Sequence, residues 1–569
     1  MSVLGLGAAA APAEAVDLSS VQRKAQPAAG GLGNPAPADR GFLVTFADRP
    51  GAAEAARRLE GLGTVTPLVP DAGVWHVAGG RPDVAIARAR GRRGVVAAEW
   101  PLVRRAQERP SPPPPLGLVD PGVFTDPLLG RQWSLAAGGW TPALAGRTPR
   151  PTIAILDGGI DREHPEWSGP DSPLTDGFTA FQGQSDSRAD DWGITGHGTH
   201  VAGIAAAPAN GIGIVGVAPA TAAGGARVMP VQVADRFGDF TDEDLIRGIR
   251  FAVSNGAKII NISAGGPGAV AAFERTVNWA TQRGAVIVAA VGNEGDGDNP
   301  LNYPAAYRHV IGVGAQCGSD TNALCPTRFG VARYSNHNST VDVVAPGDGI
   351  LSSVPEGVQR DAVMPGYAIK DGTSMATPYV AGVVALMQAA NGGRLSPFQV
   401  MRHLEATATD IAAPGRDDRS GYGAVNVARA VTTQAPPDDL GEVNDDIPYV
   451  RNRRPKGLPV GGPPAVYEAD IDQFDDPDDV YAVTARRGAR LRITLTGRTG
   501  RQSIYLWGPA TRTVATGGVN MRRNLVAYRG LNRPRQVLVA RVPRSGRYFV
   551  NVYARSGRTS YGLTVRALP

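Results

Sequence analysis

An α/β fold with a parallel sheet covered by helices on both faces, preceded by a small α+β domain and followed by an antiparallel β-sandwich, is predicted for this 569-residue chain from three observations. Between Gln132 and Val431, apolar runs such as PTIAILD, ARVMPVQVAD, AKIINISAGG, AVIVAAVGN, HVIGVGA and VDVVAPG alternate with helical segments such as DLIRGIRFAVSNG and AFERTVNWATQRG. Continuous apolar strands between amphipathic helices imply a parallel sheet buried on both faces. Ahead of them, the order strand, helix, strand, strand, helix, strand reads as a split βαβ unit. From about Ala465 the pattern changes to short β segments without long helices.

Positions 1–40 form a leader. Its opening MSVLGLGAAAAPAEA has a short apolar run ending in Ala13-Glu14-Ala15 but no Lys or Arg before Arg23, which reads as the remnant of a secretory signal lacking its positive region. Export is therefore expected. In 41–106, Phe42, Val44 and Phe46 alternate with smaller or polar residues, PGAAEAARRLEGLG is helix-like, TVTPLV and GVWHVAG are strands, PDVAIARARG is a second helix and GVVAAEW a last strand. Positions 107–131 form a Pro-rich linker with SPPPPLG at Ser111 to Gly117, where processing is expected. The α/β domain occupies 132–432, a second linker 433–464, and the sandwich 465–569, with strands such as DVYAVTA, RLRITLTG, SIYLWGP and GRYFVNVYA.

The net charge of +6 is small for the length, and all basic residues except Lys24, Lys258, Lys370 and Lys456 are arginine. Scattered arginine reads as solvated surface, so no nucleic acid is expected as a partner; clustered arginine after Arg486 leaves an anionic cell-wall or surface ligand open for the sandwich. No apolar run is long enough to span a bilayer. Cys317 and Cys325 stand close together in a loop-like stretch, which suits a local disulfide in an oxidising compartment, with two reduced thiols as the alternative.

Chemistry concentrates in the stretch DGTSMATPYVAGVVAL, where Ser374 stands between Gly372 and an apolar helix. Taken alone, Ser374 reads as a helix cap and Asp157 as a turn former. A nucleophile needs a base, a group to orient the base, and donors for an oxyanion. TIAILDGGID ends an apolar strand in Asp157, where a carboxylate reaches the crevice at the carboxyl end of the sheet. GHGTHVAGIAAA opens a helix with His197 between Gly196 and Gly198, which is expected to let substrate approach the imidazole. The order Asp, His, Ser differs from that of α/β-hydrolases, and no G-x-S-x-G elbow surrounds Ser374. His200 follows His197 by three residues, but without the Glu of H-E-x-x-H it reads as structural, as does His164.

LDGGID, GHGTHVAG and DGTSMATP resemble, in order, the three signature blocks of subtilisin-like serine proteases. The resemblance implies that Asp157 orients His197, that His197 takes the proton of Ser374, and that Ser374 attacks a peptide carbonyl. In VAAVGNEG, Asn293 would supply an oxyanion donor together with the Ser374 N–H. Ser263, Ala264 and Gly265 would pair with an extended peptide, Ala290, Val291 and Gly292 would form the opposite wall of the first pocket, and Asn302 would lie near its floor, giving a neutral pocket. The family has Thr or Ser where this chain has Gly158, so weaker hydrogen bonding is expected at that turn. Positions 41–106 resemble the inhibitory propeptide of the same family, which makes the chain's own amino-terminal segment an expected intramolecular inhibitor. DDVYAVTARRGARLRITL, SGRYFVNVY and YGLTV resemble a bacterial prepeptidase C-terminal domain. Protein or peptide substrates are implied, and no cofactor for the chemistry. Structural calcium is an expectation, with the acidic loops Asp296 to Asn299 and Asp475 to Asp479 as candidate oxygen donors but no complete ligand set. A competing reading makes the chain a catalytically weak surface or adhesion protein working through its sandwich.

Overall fold

The structure, a computed structural model, describes residues 41–568 except 80–81, 111–121, 170–171, 181–187, 192, 222–223, 236, 320–322, 359–361, 440–441, 451–466, 473–475, 498–500, 515–523, 531–534 and 557. The leader, the linker Ser111 to Gly117 and part of the second linker therefore lie outside the described residues. The chain divides into two compact units, of which Lys24–Val443 is one and Asn444–Pro569 belongs to the other.

The first unit opens with β1 (Phe42–Phe46), α1 (Ala52–Arg58), β2 (Thr64–Val69), β3 (Val74–Ala78), α2 (Pro82–Arg90) and β4 (Val95–Glu99), an antiparallel sheet in the order β2-β3-β1-β4. Phe42, Val44 and Phe46 point to one face and meet Ala55, Leu59, Ile86 and Ala89 of the two helices. The sequence sets smaller or polar residues, Leu43 and Thr45, on the other face of β1, yet Leu43 is buried as well, packing with Leu68, Val69 and Val74 into the same cluster as Leu245, Ile249, Phe273 and Val277. A strand covered on both faces loses the alternation that would mark one wet face. The small sheet is thus seated on the larger domain by apolar contact.

The chain leaves that sheet as β5 (Val103–Ala106) and β6 (Arg109–Pro110) and enters the larger domain through α3 (Trp133–Ala137), β7 (Thr152–Asp157), β8 (Phe178–Thr179), α4 (His197–Ala206), β9 (Arg227–Gln232), β10 (Asp239–Thr241), α5 (Asp242–Ser254), β11 (Ile259–Ile262), β12 (Ala264–Gly265), α6 (Ala271–Thr281), β13 (Val286–Ala290), β14 (Val310–Gln316) and β15 (Val343–Pro346). Then follow β16 (Ile350–Ser353), β17 (Ala362–Met364), β18 (Tyr367–Asp371), α7 (Thr373–Ala390), α8 (Pro397–Thr407) and α9 (Val427–Thr432). Seven strands form one parallel sheet in the order β15-β14-β13-β11-β7-β9-β8. From β7 the sheet grows outward in both directions, so a crevice opens at the carboxyl ends beside β7 and β11.

Both faces are covered, as the apolar strands require. On one, Val201, Ala205, Met375, Val380, Val383 and Val384 of α4 and α7 pack with Ile153, Ile155, Val288 and Val313; α7 is buried along almost its whole length. On the other, α5 and α6 cover Ala154, Leu156, Ile260 and Ile287. The start of α5 is fixed by Thr241, whose hydroxyl accepts from the Asp244 N–H, and by Asp242, Glu243 and Asp244 in a first turn where negative charge suits the helix dipole. Cys317 and Cys325 form a disulfide with Cα atoms 5.5 Å apart.

In the second unit, α10 (Ile447–Val450) precedes β19 (Tyr467–Asp472), β20 (Asp478–Ala485), β21 (Arg490–Gly497), β22 (Arg501–Trp507), β23 (Leu525–Gly530), β24 (Arg535–Arg541), β25 (Gly546–Ser556) and β26 (Arg558–Leu568). Two four-stranded antiparallel sheets, β19-β26-β21-β24 and β20-β25-β22-β23, share a core of Ile471, Val483, Leu491, Ile493, Ile504, Leu506, Val550, Val552 and Leu563. The outer face of the second sheet is covered too, by Ile447 and Val450 against Val480, Tyr505, Trp507 and Phe549. Among the described residues no helix is long and apolar enough to cross a membrane.

Candidate active site

The crevice gathers the four polar residues singled out in the sequence. Asp157 ends β7, Asn293 follows β13, His197 opens α4 and Ser374 lies in the first turn of α7. The buried Asp157 carboxylate accepts from the Gly158 N–H at 2.7 Å, and the His197 Nδ1 lies 2.8 and 2.9 Å from its two oxygens. A nitrogen so close to a carboxylate carries the proton, which leaves Nε2 as the free lone pair of the neutral ring; Nε2 has no hydrogen-bond partner. Burial opposes protonation of His197, but the charge and hydrogen bond of Asp157 prevail, so its pKa is raised.

The glycines beside His197 serve packing rather than substrate access, contrary to the expectation from sequence. Gly196 takes the left-handed conformation at the helix cap, and a Cβ on Gly198 would stand 2.1 Å from the Gly159 carbonyl oxygen. The start of α4, which carries His197, is held by Asp191, whose carboxylate accepts from the Gly193 N–H and from the Thr199 N–H and hydroxyl. Burial raises the Asp191 pKa to about 6, against the Thr199 hydrogen bonds. That residue was missed in the sequence, where an Asp in a loop carries no signal.

Ser374 Oγ donates to the Ser263 carbonyl at 2.8 Å, and Ser263 Oγ donates to the Ser374 carbonyl at 2.9 Å. The Asn293 Oδ1 accepts from the N–H and the hydroxyl of Thr373, both at 3.0 Å, while its Nδ2 is buried without a partner. Asn302 Nδ2 donates to the Ala290 carbonyl at 3.0 Å and fills the space beside Gly265, so it brings the segment after β11 and the end of β13 together. Val291 and Gly292 follow directly after β13 and lead to Asn293. His200 Nε2 lies 3.1 Å from the Ile350 carbonyl and 3.2 Å from that of Ala368, and burial holds its pKa well down; His164 bonds the Gly366 carbonyl at 2.9 Å.

The chain's own segment fills the groove. β5 is the middle strand of a three-stranded antiparallel sheet, with Ala106 opposite Ala264, Arg105 opposite Gly265 and Asp239, and Arg104 opposite Phe240. The Gln107 N–H donates to the Ser263 carbonyl at 3.3 Å, and the Gln107 carbonyl accepts from the Ser374 N–H at 3.0 Å. A Cβ on Gly372 would stand 2.2 Å from that carbonyl oxygen and 3.2 Å from Asn293 Nδ2, so only glycine keeps the place open. Beyond it β6 pairs with β18, Arg109 opposite Asp371. Two residues that the sequence assigns to the linker, Gln107 and Glu108, thus lie beside Ser374.

Of the acidic loops offered for calcium, Asp475 lies outside the described residues, and Asp296 is exposed, 3.6 Å from Arg109. A different pair has the character of cation ligands. The buried Asp126 and Glu166 each keep one oxygen without a partner, Oδ2 and Oε2. Their other oxygens accept backbone N–H groups of one loop, Asn210 and Gly211 to Asp126 and Ile214 to Glu166. Burial pushes Glu166 up to about 8, with the Asp126 charge adding to the rise.

Comparisons with known proteins bear on the family and the fold. The family model described as Subtilase family, peptidase S8, matches residues 149–423. The thermophilic serine proteinase of Bacillus sp. (strain AK1) is 37% identical over 281 residues, 49% of this chain and 61% of that protein. Subtilisin Savinase of Lederbergia lenta is 35% identical over 278 residues, 49% of this chain and 89% of that protein. The chain therefore spans less than two thirds of the first of these relatives and most of the second. Fervidolysin from Fervidobacterium pennivorans, described as a keratinolytic enzyme related to subtilisin, shares the fold with a TM-score of 0.60 over 93% of this chain and 89% of that one, at 22% identity. With the fold, the three sequence blocks and the relatives in accord, the chain belongs to the subtilase family.

Proposed function

We propose that this protein is an exported serine endopeptidase made as a zymogen, in which residues 41–107 form an inhibitory propeptide that the enzyme itself cuts away. The observation that carries the reading is the Gln107 carbonyl on the Ser374 N–H at 3.0 Å, with the chain continuing as a paired strand on both sides. That is how a substrate would lie. For reaction the Ser374 hydroxyl turns about its χ1 from the Ser263 carbonyl to His197 Nε2. His197 takes the hydroxyl proton as Oγ bonds the Gln107 carbonyl carbon, and Asp157 supports the imidazolium. The Ser374 N–H and Asn293 Nδ2 hold the oxyanion, the helix start adding its dipole. Collapse breaks the bond to the Glu108 nitrogen, which receives the proton from His197; water then releases the acyl group by the same steps reversed.

The test is labelling by a fluorophosphonate together with casein cleavage, both expected in the matured protein and both lost in Ser374→Ala. A folded, matured protein that neither labels nor cleaves would end this reading and leave the β-sandwich as the working module. A pH profile adds a second check. Because the base must be neutral and the folded His197 pKa is raised above 6.5, self-cleavage of the precursor should fall as pH drops through a value above 6.5. Single-turnover conversion with an acid limb below 6 would contradict the Asp157–His197 pairing.

Calcium is proposed as a structural ion held by Asp126 and Glu166, whose orphan carboxylate oxygens are the hard donors such a cation takes. It supplies no chemistry to the reaction; it neutralises two carboxylates and fixes the Asn210 to Ile214 loop. Chelation should lower the unfolding temperature by several degrees, since calcium at a hundredfold over its Kd contributes about 2.7 kcal/mol. The loss should be larger at pH 9 than at pH 6, because a Glu166 pKa of about 8 lets the empty site protonate instead at the lower pH. Calorimetry with and without chelator checks it; an Asp126→Ala protein should show no chelator effect.

A further inference from the structure

Arg104 is a fully buried arginine, its side chain 0% exposed, on a segment that would leave if the propeptide were released. Its guanidinium is saturated. Nε donates to Asp242 Oδ1 at 2.8 Å, Nη1 to the carbonyls of Gly266 at 2.7 Å and Pro267 at 3.0 Å, and Nη2 to the Gly268 carbonyl at 2.8 Å and Asp242 Oδ2 at 3.3 Å. Five N–H donors thus meet five acceptors, a set that a lysine ammonium with three donors at a single point does not reproduce. The acceptors all belong to the groove walls, Asp242 just after β10 and the three carbonyls just after β12.

The register makes this a site and not a general ion pair. In an extended strand alternate side chains face opposite ways. Arg104 points into the wall, whereas the next residue, Arg105, is 72% exposed and meets only the surface carboxylate of Asp239 at 3.1 Å. Arg104 stands three residues before Gln107, whose carbonyl lies on Ser374. On the other side of that carbonyl, the Glu108 carboxylate meets the Nζ of Lys370, a lysine of the groove floor only 2% exposed, at 2.7 Å. Asp242 is not merely a helix-capping acid. Its carboxylate also accepts the Leu102 N–H at 2.7 Å, so it is turned toward the bound strand.

We propose that the groove selects peptides carrying arginine at the position of Arg104, read by Asp242 and the carbonyls of Gly266, Pro267 and Gly268, and an acidic residue at the position of Glu108, read by Lys370. The substrate class is an extended segment of the form Arg-Xaa-Xaa-Xaa followed by Glu or Asp, cut just before the acidic residue. This rests on the endopeptidase reading and deepens it. When no guanidinium is bound, Asp242 presents a charge in a walled site, and a substrate lacking arginine leaves that charge without its partner.

The test uses the full chain after maturation and internally quenched peptides containing Val-Arg-Arg-Ala-Gln-Glu-Arg. Replacing the first arginine by alanine should lower kcat/KM at least about thirtyfold, since unpairing a buried charge is costly, with lysine in between. Replacing the second arginine should change it by less than about threefold, as for exposed ion pairs. Changing the Glu to Lys should lower it about tenfold, from two like charges at close range. In Asp242→Asn the preference for the first arginine should shrink toward one. First-arginine and alanine peptides cut within about threefold of each other by wild-type protein would overturn the proposal, as would a fluorophosphonate-labelled enzyme that leaves the parent peptide intact. A retained preference in Asp242→Asn would overturn the assignment to Asp242. No labelling and no cleavage of any peptide would instead bring down the endopeptidase reading, and this inference with it.

Discussion

Ser374→Ala, made as the full chain in a protease-free system, is expected to keep its amino-terminal segment, whereas the wild-type chain yields a product beginning at Glu108. The expectation follows from where the bond lies. The Gln107 carbonyl already sits on the Ser374 N–H, and the strand on either side is paired with the groove through β10, β12 and β18, so the reacting groups need little further approach. What the variant loses is the one atom that bonds the carbonyl carbon. Removing a nucleophile of this kind costs on the order of 10⁶-fold, a figure obtained on another subtilase and taken over here. On the timescale of a purification that is the difference between complete conversion and none. The Ser374 side chain is small and its hydrogen bond goes to a neighbouring carbonyl, so the fold should survive the change. Intact mass and amino-terminal sequencing read the result. A variant that loses residues 1–107 as the wild type does would show that the cut is made by something else.

The fold was legible in the sequence because its strands are almost wholly apolar, Asn261 inside β11 being a buried exception. TIAILD, IINI and VIVAA are buried on both faces, and of the helical segments between them α5 and α6 have one apolar side each while α4 is buried all round, so a parallel sheet with two helical layers is the arrangement that buries them. The short strands that line the groove were not legible. β10 and β12 have three and two residues, too few for any period, and they exist as strands because β5 lies between them. Residues singled out for chemistry stand where the local pattern is unusual: an Asp closing an apolar strand, a His and a Ser opening apolar helices, an Asn just past a strand end. Asp242 and Lys370 carry no such mark. Asp242 reads as one more acid in the first turn of an amphipathic helix, and Lys370 as a charge in a strand; what distinguishes them is the bound segment more than a hundred residues earlier in the chain. The same holds for Leu43, whose burial depends on a partner surface that the strand itself does not announce.

Asp157→Asn should reduce turnover by about 10⁴-fold while leaving the protein folded and Ser374 in place, the magnitude being that of the same change in serine proteases of unrelated fold. The local hydrogen bonds decide which way the new amide turns. The Gly158 N–H donates to Oδ1 at 2.7 Å and requires an oxygen there, so the amide nitrogen takes the place of Oδ2. That nitrogen then faces His197 Nδ1 at 2.9 Å with hydrogens of its own and competes with the Oδ1 acceptor 2.8 Å from the same atom, which the Gly158 N–H already uses. A donor opposite Nδ1 drives the ring proton to Nε2, the atom that must be bare to accept the serine proton. The loss should fall on kcat with little change in KM, because no group that touches the bound strand is altered. Fluorophosphonate labelling should slow in step with turnover, as it needs the same deprotonated serine. The acid limb should also move, since the raised His197 pKa depends on the Asp157 charge and hydrogen bond against a burial that lowers it; without the carboxylate the imidazole stays neutral to lower pH. A variant whose kcat fell by less than about tenfold, with its acid limb unmoved, would show that Asp157 neither orients nor charges the imidazole, and the role given to the strand end of β7 would have to be abandoned.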